Sequence, residues 1–151
     1  MLMLNLTQHK ATREQIEGGV VDLPAEIAGR VSVLLTFDNP PEGYEMVRRA
    51  EAIAKIVSEV REMKDFQTPG VFSGVPMKIR PRSVMIGGAP FFMSTLEAVL
   101  IEERYFPYYA FSRRESVEER TADGGVRKVA TFRHVGFVVA CPPDPVEPGQ
   151  N

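Results

Sequence analysis

The sequence predicts an α/β fold: a three-layer sandwich whose mainly parallel sheet is extended by a C-terminal antiparallel hairpin. Three observations carry this. Residues 83–86 form a short apolar run that meets Gly87-Gly88, a helical segment follows, and a second apolar run occupies 107–111, which together spell a β-α-β unit. Residues 44–64 repeat apolar side chains at three- and four-residue steps, as a helix covering a sheet must. Asp123-Gly124, a strong turn signal, separates 115–120 from 126–139.

Taken in order, residues 2–6 read as a first, buried strand, and Asn5-Leu6-Thr7-Gln8-His9-Lys10 as the polar loop after it. Thr12-Arg13-Glu14-Gln15 fits a capping box and starts a short helix that Gly18-Gly19 ends. Residues 20–23 are a short strand, and Pro24 suits the first position of the next helix. Residues 25–36 carry mixed signals. Ala25-Glu26-Ile27-Ala28 favours helix while 31–37 has strand character, and helix is the reading adopted. Asp38-Asn39-Pro40-Pro41 is a break. In the helix at 44–64, Met46, Ala50, Ile53, Val57 and Val60 make the apolar face, and Arg48, Arg49 and their charged neighbours a solvated one. Residues 65–82 form a Pro- and Gly-rich loop with Lys78, Arg80 and Arg82, read as a packed strap or an active-site lid. A helix spans 94–104, with a start nearer Pro90 as an alternative. Alternation over 128–135 fits a sheet with one wetter face.

Length and composition narrow the function classes. The 151 residues suit one domain over 1–140, and the tail 141–151, with four prolines, reads as extended or disordered. Eighteen basic against twenty acidic residues, net −2, argue against a generally basic protein that coats double-stranded nucleic acid. Cys141 is the lone cysteine, so no intrachain disulfide can form. Residues 1–6 are too short for a signal peptide and lack a basic start, and no run approaches the roughly 20 apolar residues of a membrane span. A cytoplasmic protein is expected.

Candidate chemistry gathers at expected strand ends, where open α/β sheets bind ligands. Gly87 and Gly88 let backbone approach a ligand closely, and the helix start after Pro90 offers unpaired N–H groups to an anion, with Ser94 as a cap or contact. The bland alternative is a tight turn. Ser112-Arg113-Arg114-Glu115, after the run at 107–111, places two guanidiniums where they can clamp phosphate, or simply an exposed arginine pair bonded to nearby glutamates. Asn5, Thr7 and Gln8 offer hydrogen bonds to a base, ribose or phosphate, and His9 beside them is a candidate general acid or base, or a structural loop histidine. Phe91 can stack on a base or join the core. His134 reads as a cross-strand packing or hydrogen-bonding residue. Two histidines and one distant cysteine make no metal set, no cofactor is implied, and neither a Walker A loop, a GxGxxG fingerprint nor a nucleophile elbow occurs.

The stretch Tyr108-Tyr109-Ala110-Phe111-Ser112-Arg113-Arg114-Glu115-Ser116-Val117-Glu118, with Asp123-Gly124 and Lys128 to Val135, resembles small CRISPR-ancillary proteins of the CARF (CRISPR-associated Rossmann fold) type, in particular the ring-nuclease branch. Leu4 to His9 before Thr12-Arg13-Glu14-Gln15-Ile16 is similar in place and style. The resemblance implies a Rossmann-like domain, a homodimer, and a cyclic oligoadenylate site across its two-fold axis, in antiviral defence. It implies metal-independent attack of a ribose 2′-hydroxyl on the adjacent phosphate, with Arg113 or Arg114 holding phosphate, Gly87 and Gly88 giving backbone contacts, and Thr7, Gln8 and His9 beside the ribose. Gly87-Gly88-Ala89-Pro90-Phe91-Phe92 and the loop at 65–82 depart from that pattern. Two other readings stand beside the enzyme: a non-catalytic nucleotide-binding sensor or sponge, of mobile-element origin, and a protein-interaction module using the hairpin and the 65–82 loop.

Overall fold

Three short, largely apolar segments and two long ones pair into one five-stranded sheet, ordered β2-β1-β3-β4-β5. In the computed structural model, which describes residues 1–63 and 81–140, the elements run β1 (Met3–Asn5), α1 (Arg13–Glu17), β2 (Val20–Asp22), α2 (Ala25–Leu35), α3 (Gly43–Glu62), β3 (Ser83–Met85), α4 (Pro90–Glu102), β4 (Phe106–Arg120) and β5 (Val126–Val139). The tail with Cys141 lies outside the described residues, as does the loop expected at 65–82 apart from its last two positions. β1 pairs in parallel with β2 and β3, and β3 with β4, whereas β5 returns antiparallel to β4.

The strand order decides where the helices go. The chain steps one way from β1 to β2, and the other way from β2 to β3 and from β3 to β4. Right-handed crossovers then put α1 on one face and α2, α3 and α4 on the other. Packing agrees. Leu4, Val84 and Ile86 are buried with Val31 and Leu35 of α2, Ile53, Val57 and Val60 of α3, and Phe92, Leu96 and Leu100 of α4. Each such side chain contributes about 1.5–3 kcal/mol relative to exposure. On the other face Met3, Val20 and Met85 lie under Ala11, Tyr108 and Phe137, a thinner layer.

Local chemistry sets most boundaries. Thr12 caps α1 in a two-way capping box with Gln15. Gly19 has φ 102°, and a Cβ there would stand 2.0 Å from the Met1 carbonyl oxygen, so β2 can be entered this tightly only through glycine. The region with mixed signals is helical, α2, although Pro24 sits at its N-cap, one residue before the helix proper. α4 starts at Pro90, whose fixed φ and missing N–H suit a first turn, so Ser94 is inside the helix rather than at its cap.

The largest departure from expectation is β4. The expected strand end at Ser112 does not exist: β4 runs on to Arg120, paired with β5 down to Val126. The antiparallel ladder supplies every second backbone group with a partner, so the strand continues through polar residues that have no core to face. The alternation predicts one wetter face; over 112–120 and 126–133 both are wet, with only Glu115 and Val129 half-buried. A bulge between Phe111 and Ser112 marks where this ribbon leaves the packed sheet.

Candidate functional site

β1 leads away to β2 on one side and β3 to β4 on the other, so their C-terminal ends diverge. That divergence opens a crevice, the usual ligand position in an open α/β sheet. Here it is a cleft of about 380 Å³. Thr7, Gln8, His9 and Lys10 from the loop after β1 form one wall, with Thr12 and Gln15 of the capped turn behind them. Ile86, Gly87 and Gly88 after β3 form the floor, and Tyr109 and Ala110 of β4 the far wall.

The β1 loop is held from below by Asn5. This side chain is 5% exposed. Its Nδ2 donates to the His9 carbonyl at 2.8 Å and to Asp22 Oδ1 at 2.7 Å, while its Oδ1 accepts from Thr7 N at 2.9 Å and Thr7 Oγ1 at 2.7 Å. All four hydrogen-bonding positions of the amide are therefore spent inside the protein. Asp22 Oδ1 also accepts from Ala11 N at 3.0 Å, closing the loop onto β2. Asn5 thus shapes the cleft and does not line it, which corrects the expectation of a ligand contact. Gln8 does line it, yet its Nε2 donates to Thr36 Oγ1 at 2.8 Å, tying the loop to the end of α2.

His9 and Lys10 are exposed at the cleft, and no carboxylate lines it among the described residues. A Cβ at Gly87 would meet only the Thr7 methyl, at 3.5 Å, so the floor is open there. On the far wall the Tyr109 hydroxyl donates to Glu97 of α4. Burial first, then the hydrogen bond to the Glu97 carboxylate and its charge, push the Tyr109 phenol well above its ordinary value. It is a neutral donor at physiological pH.

The other expected site residues are elsewhere. Ser112, Arg113, Arg114 and Glu115 lie on the exposed ribbon and do not line the cleft, because β4 carries them past it. Arg113 is therefore not among the residues that line the cleft with His9. Glu115 instead stands 4.0 Å from Arg133. Ser94 is on the exposed side of α4, and Phe91 packs edge-on against Phe37 with centroids 5.1 Å apart. His134 lies on β5 against Phe137, ring centroids 4.7 Å apart. Lys10, Thr12, Gln15 and Tyr109 were not singled out as site residues. Lys10 extends a loop already marked by its neighbours, whereas Tyr109 reaches the cleft only through the β3–β4 pairing. Among the described residues no group of three His, Cys, Asp or Glu side chains could hold a metal ion, and no helix is long and apolar enough to cross a membrane.

Fold and cleft together define an α/β protein with a Rossmann-like sheet and a carboxylate-free cleft at its topological switch point. No curated protein and no solved structure matches the chain. It belongs to the uncharacterized protein MJ1673 family, whose model matches residues 1–138.

Proposed function

We propose that this protein binds a nucleotide or a similar phosphorylated ligand in the cleft between the ends of β1 and β3. The observation that carries this is the meeting of the Gly87-Gly88 floor with Lys10 and His9 at the switch point, where no lining residue is acidic. The glycines admit phosphate close to backbone, Lys10 supplies a point charge, and Thr7 and Tyr109 supply neutral polar groups for a sugar or base. The volume suits a small ligand. A binding role, as sensor or sponge, needs nothing more.

Ring-nuclease action on cyclic oligoadenylate is the sharper version of the same reading. It draws on the resemblance described above and on His9 as an available acid or base. One experiment addresses both. The purified protein, free of metal, is incubated with ATP, AMP and cyclic tri-, tetra- and hexa-adenylate; melting temperature is recorded and products are separated by liquid chromatography. A ligand at 100 times its Kd should add about 2.7 kcal/mol of stability and raise the melting temperature. Linear products would establish the nuclease, an intact ring with a raised melting temperature the sensor, and no shift with any nucleotide would overturn the proposal.

A further inference from the structure

Among the described residues, the ribbon formed by 112–120 and 126–133 packs against no other element. Both its faces are wet, and Phe132 is 74% and Val126 63% exposed. Two-stranded ribbons on their own are at best marginal in water. Two edges are open. β5 forms the end of the sheet, and β4 pairs with β3 only through Phe106 to Tyr108.

Hydrogen bonds show which backbone groups point out of β4. Phe106 N donates to Arg82 O and Tyr108 O accepts from Ile86 N, each at 2.9 Å, on the β3 side. Pro107 O accepts from Ala140 N at 2.9 Å and Thr121 N donates to Gly125 O at 2.8 Å, on the β5 side. Strand backbone alternates sides residue by residue, so even-numbered residues 110 to 120 present their N–H and C=O to the open edge.

We propose that a second copy of this chain pairs antiparallel with this edge, Ser116 opposite Ser116 on the two-fold axis, and that its hairpin tip covers the cleft. The charges select the occupant and the register. With Ser116 at the centre, Arg113 stands opposite the partner's Glu119 and Arg114 opposite the partner's Glu118, each pair occurring twice. Centred on Glu115, that carboxylate meets itself. Centred on Val117, Arg114 meets Arg120 and Glu115 meets Glu119. Directly opposed like charges destabilise a ladder and opposite charges stabilise it. Within one ribbon Arg113 already lies opposite Arg133, a like pair that the partner's Glu119 would offset. The outer edge of β5 is a poor alternative, since its ribbon charges are Arg127, Lys128 and Arg133, all basic.

The position of the tip follows from the sheet. Strands lie about 4.8 Å apart, so the partner's β4 continues the line of β3 and the partner's β5 the line of β1. The register sets the partner's Arg120 opposite Ser112 and the partner's Ala122 level with Ala110, a cleft residue. The turn then hangs across the mouth between β1 and β3, and the partner's Arg120 adds a cation there. The pairing stands without any ligand; the covering role rests on the ligand reading of the cleft.

The test uses the full chain in sedimentation equilibrium. Wild type should sediment at twice the 16.8 kDa chain mass. Ser116→Pro removes one outward N–H and leaves the β4–β5 ladder whole, so it should sediment at the single mass with unchanged circular dichroism. R113E/R114E and E118R/E119R should each be single, and their equimolar mixture should return to twice the mass, because every opposed pair is then complementary. S116C/C141S should oxidise to a cross-linked dimer and K10C/C141S should not, since the two-fold brings only residue 116 within disulfide reach of itself. A single mass for wild type, a double mass for either charge variant alone, or a mixture that stays single would each overturn the pairing. If ATP binding is at least tenfold weaker in Ser116→Pro than in wild type, the tip covers the cleft. Equal binding would overturn that role, and binding by neither would overturn the ligand reading while leaving the pairing intact.

Discussion

Asn5 and Asp22 face each other across β1 and β2, and the 2.7 Å bond from Asn5 Nδ2 to Asp22 Oδ1 is the floor on which the cleft's main wall stands. The amide is buried and its four partners are all protein groups. Removing it takes one donor each from the His9 carbonyl and the Asp22 carboxylate, which keep only Thr7 Oγ1 at 3.1 Å and Ala11 N at 3.0 Å, and leaves Thr7 N without its acceptor. Asn5→Ala is expected to cost about 2–4 kcal/mol in urea unfolding, and to free the 6–11 loop, seen as faster amide exchange at Thr7 and Ala11.

Gly87→Leu tests the floor. The nearest atom to a Cβ there is the Thr7 methyl at 3.5 Å, so a side chain is tolerated by the protein but occupies ligand space. Stability should change by less than about 1 kcal/mol, while nucleotide affinity falls at least tenfold in calorimetric titration. Equal affinity would remove the cleft from the binding reading.

Arg49 was read in the sequence as one more solvated charge on a helix. It is instead a clamp. Its guanidinium donates to the carbonyls of Thr36 at 2.6 Å and Leu34 at 3.2 Å, pairs with Glu45 at 2.7 Å, and lies 4.2 Å from the Phe37 ring centre. It thus satisfies the end of α2 from α3. A lysine has no planar fork and cannot reproduce this set, so Arg49→Lys should cost about 1–2 kcal/mol in thermal or urea unfolding.

The Tyr109 phenol holds its proton more tightly in the fold than in the unfolded chain, because of burial and the Glu97 carboxylate. Above about pH 10 the folded state therefore binds more protons than the unfolded one, and stability declines as pH rises. Below that pH the contribution is complete. Tyr109→Phe should lower stability by about 1 kcal/mol at neutral pH and flatten the alkaline decline, measured as urea midpoints from pH 7 to 11.

Much of the sheet was legible because it is written in local signals. The capping box at Thr12, the break at Asp38 to Pro41 and the Asp123-Gly124 turn act within a few residues, and the structure has each where the pattern places it. The Asn5 to His9 and Gly87-Gly88 segments also meet as the strand-end logic requires. Illegible features depend on distant partners. Ser112 to Glu115 looked like a strand end because strands are recognised by a buried face, and β4 continues there without one. Asn5 looked like a ligand group because nothing in its neighbourhood announces Asp22, seventeen residues on, as its partner. The grip of Arg49 likewise comes from carbonyls thirteen and fifteen positions earlier.

The cleft's walls come from Thr7 to Gln15, from Ile86 to Gly88 and from Tyr109 to Ala110, the first and last separated by most of the chain. During synthesis the opening wall leaves the ribosome long before its counterpart exists. On the proposed binding reading, a nascent chain could hold no ligand in this cleft until residue 110 has emerged. Any ligand the cleft takes would therefore meet β1, β3 and β4 already paired.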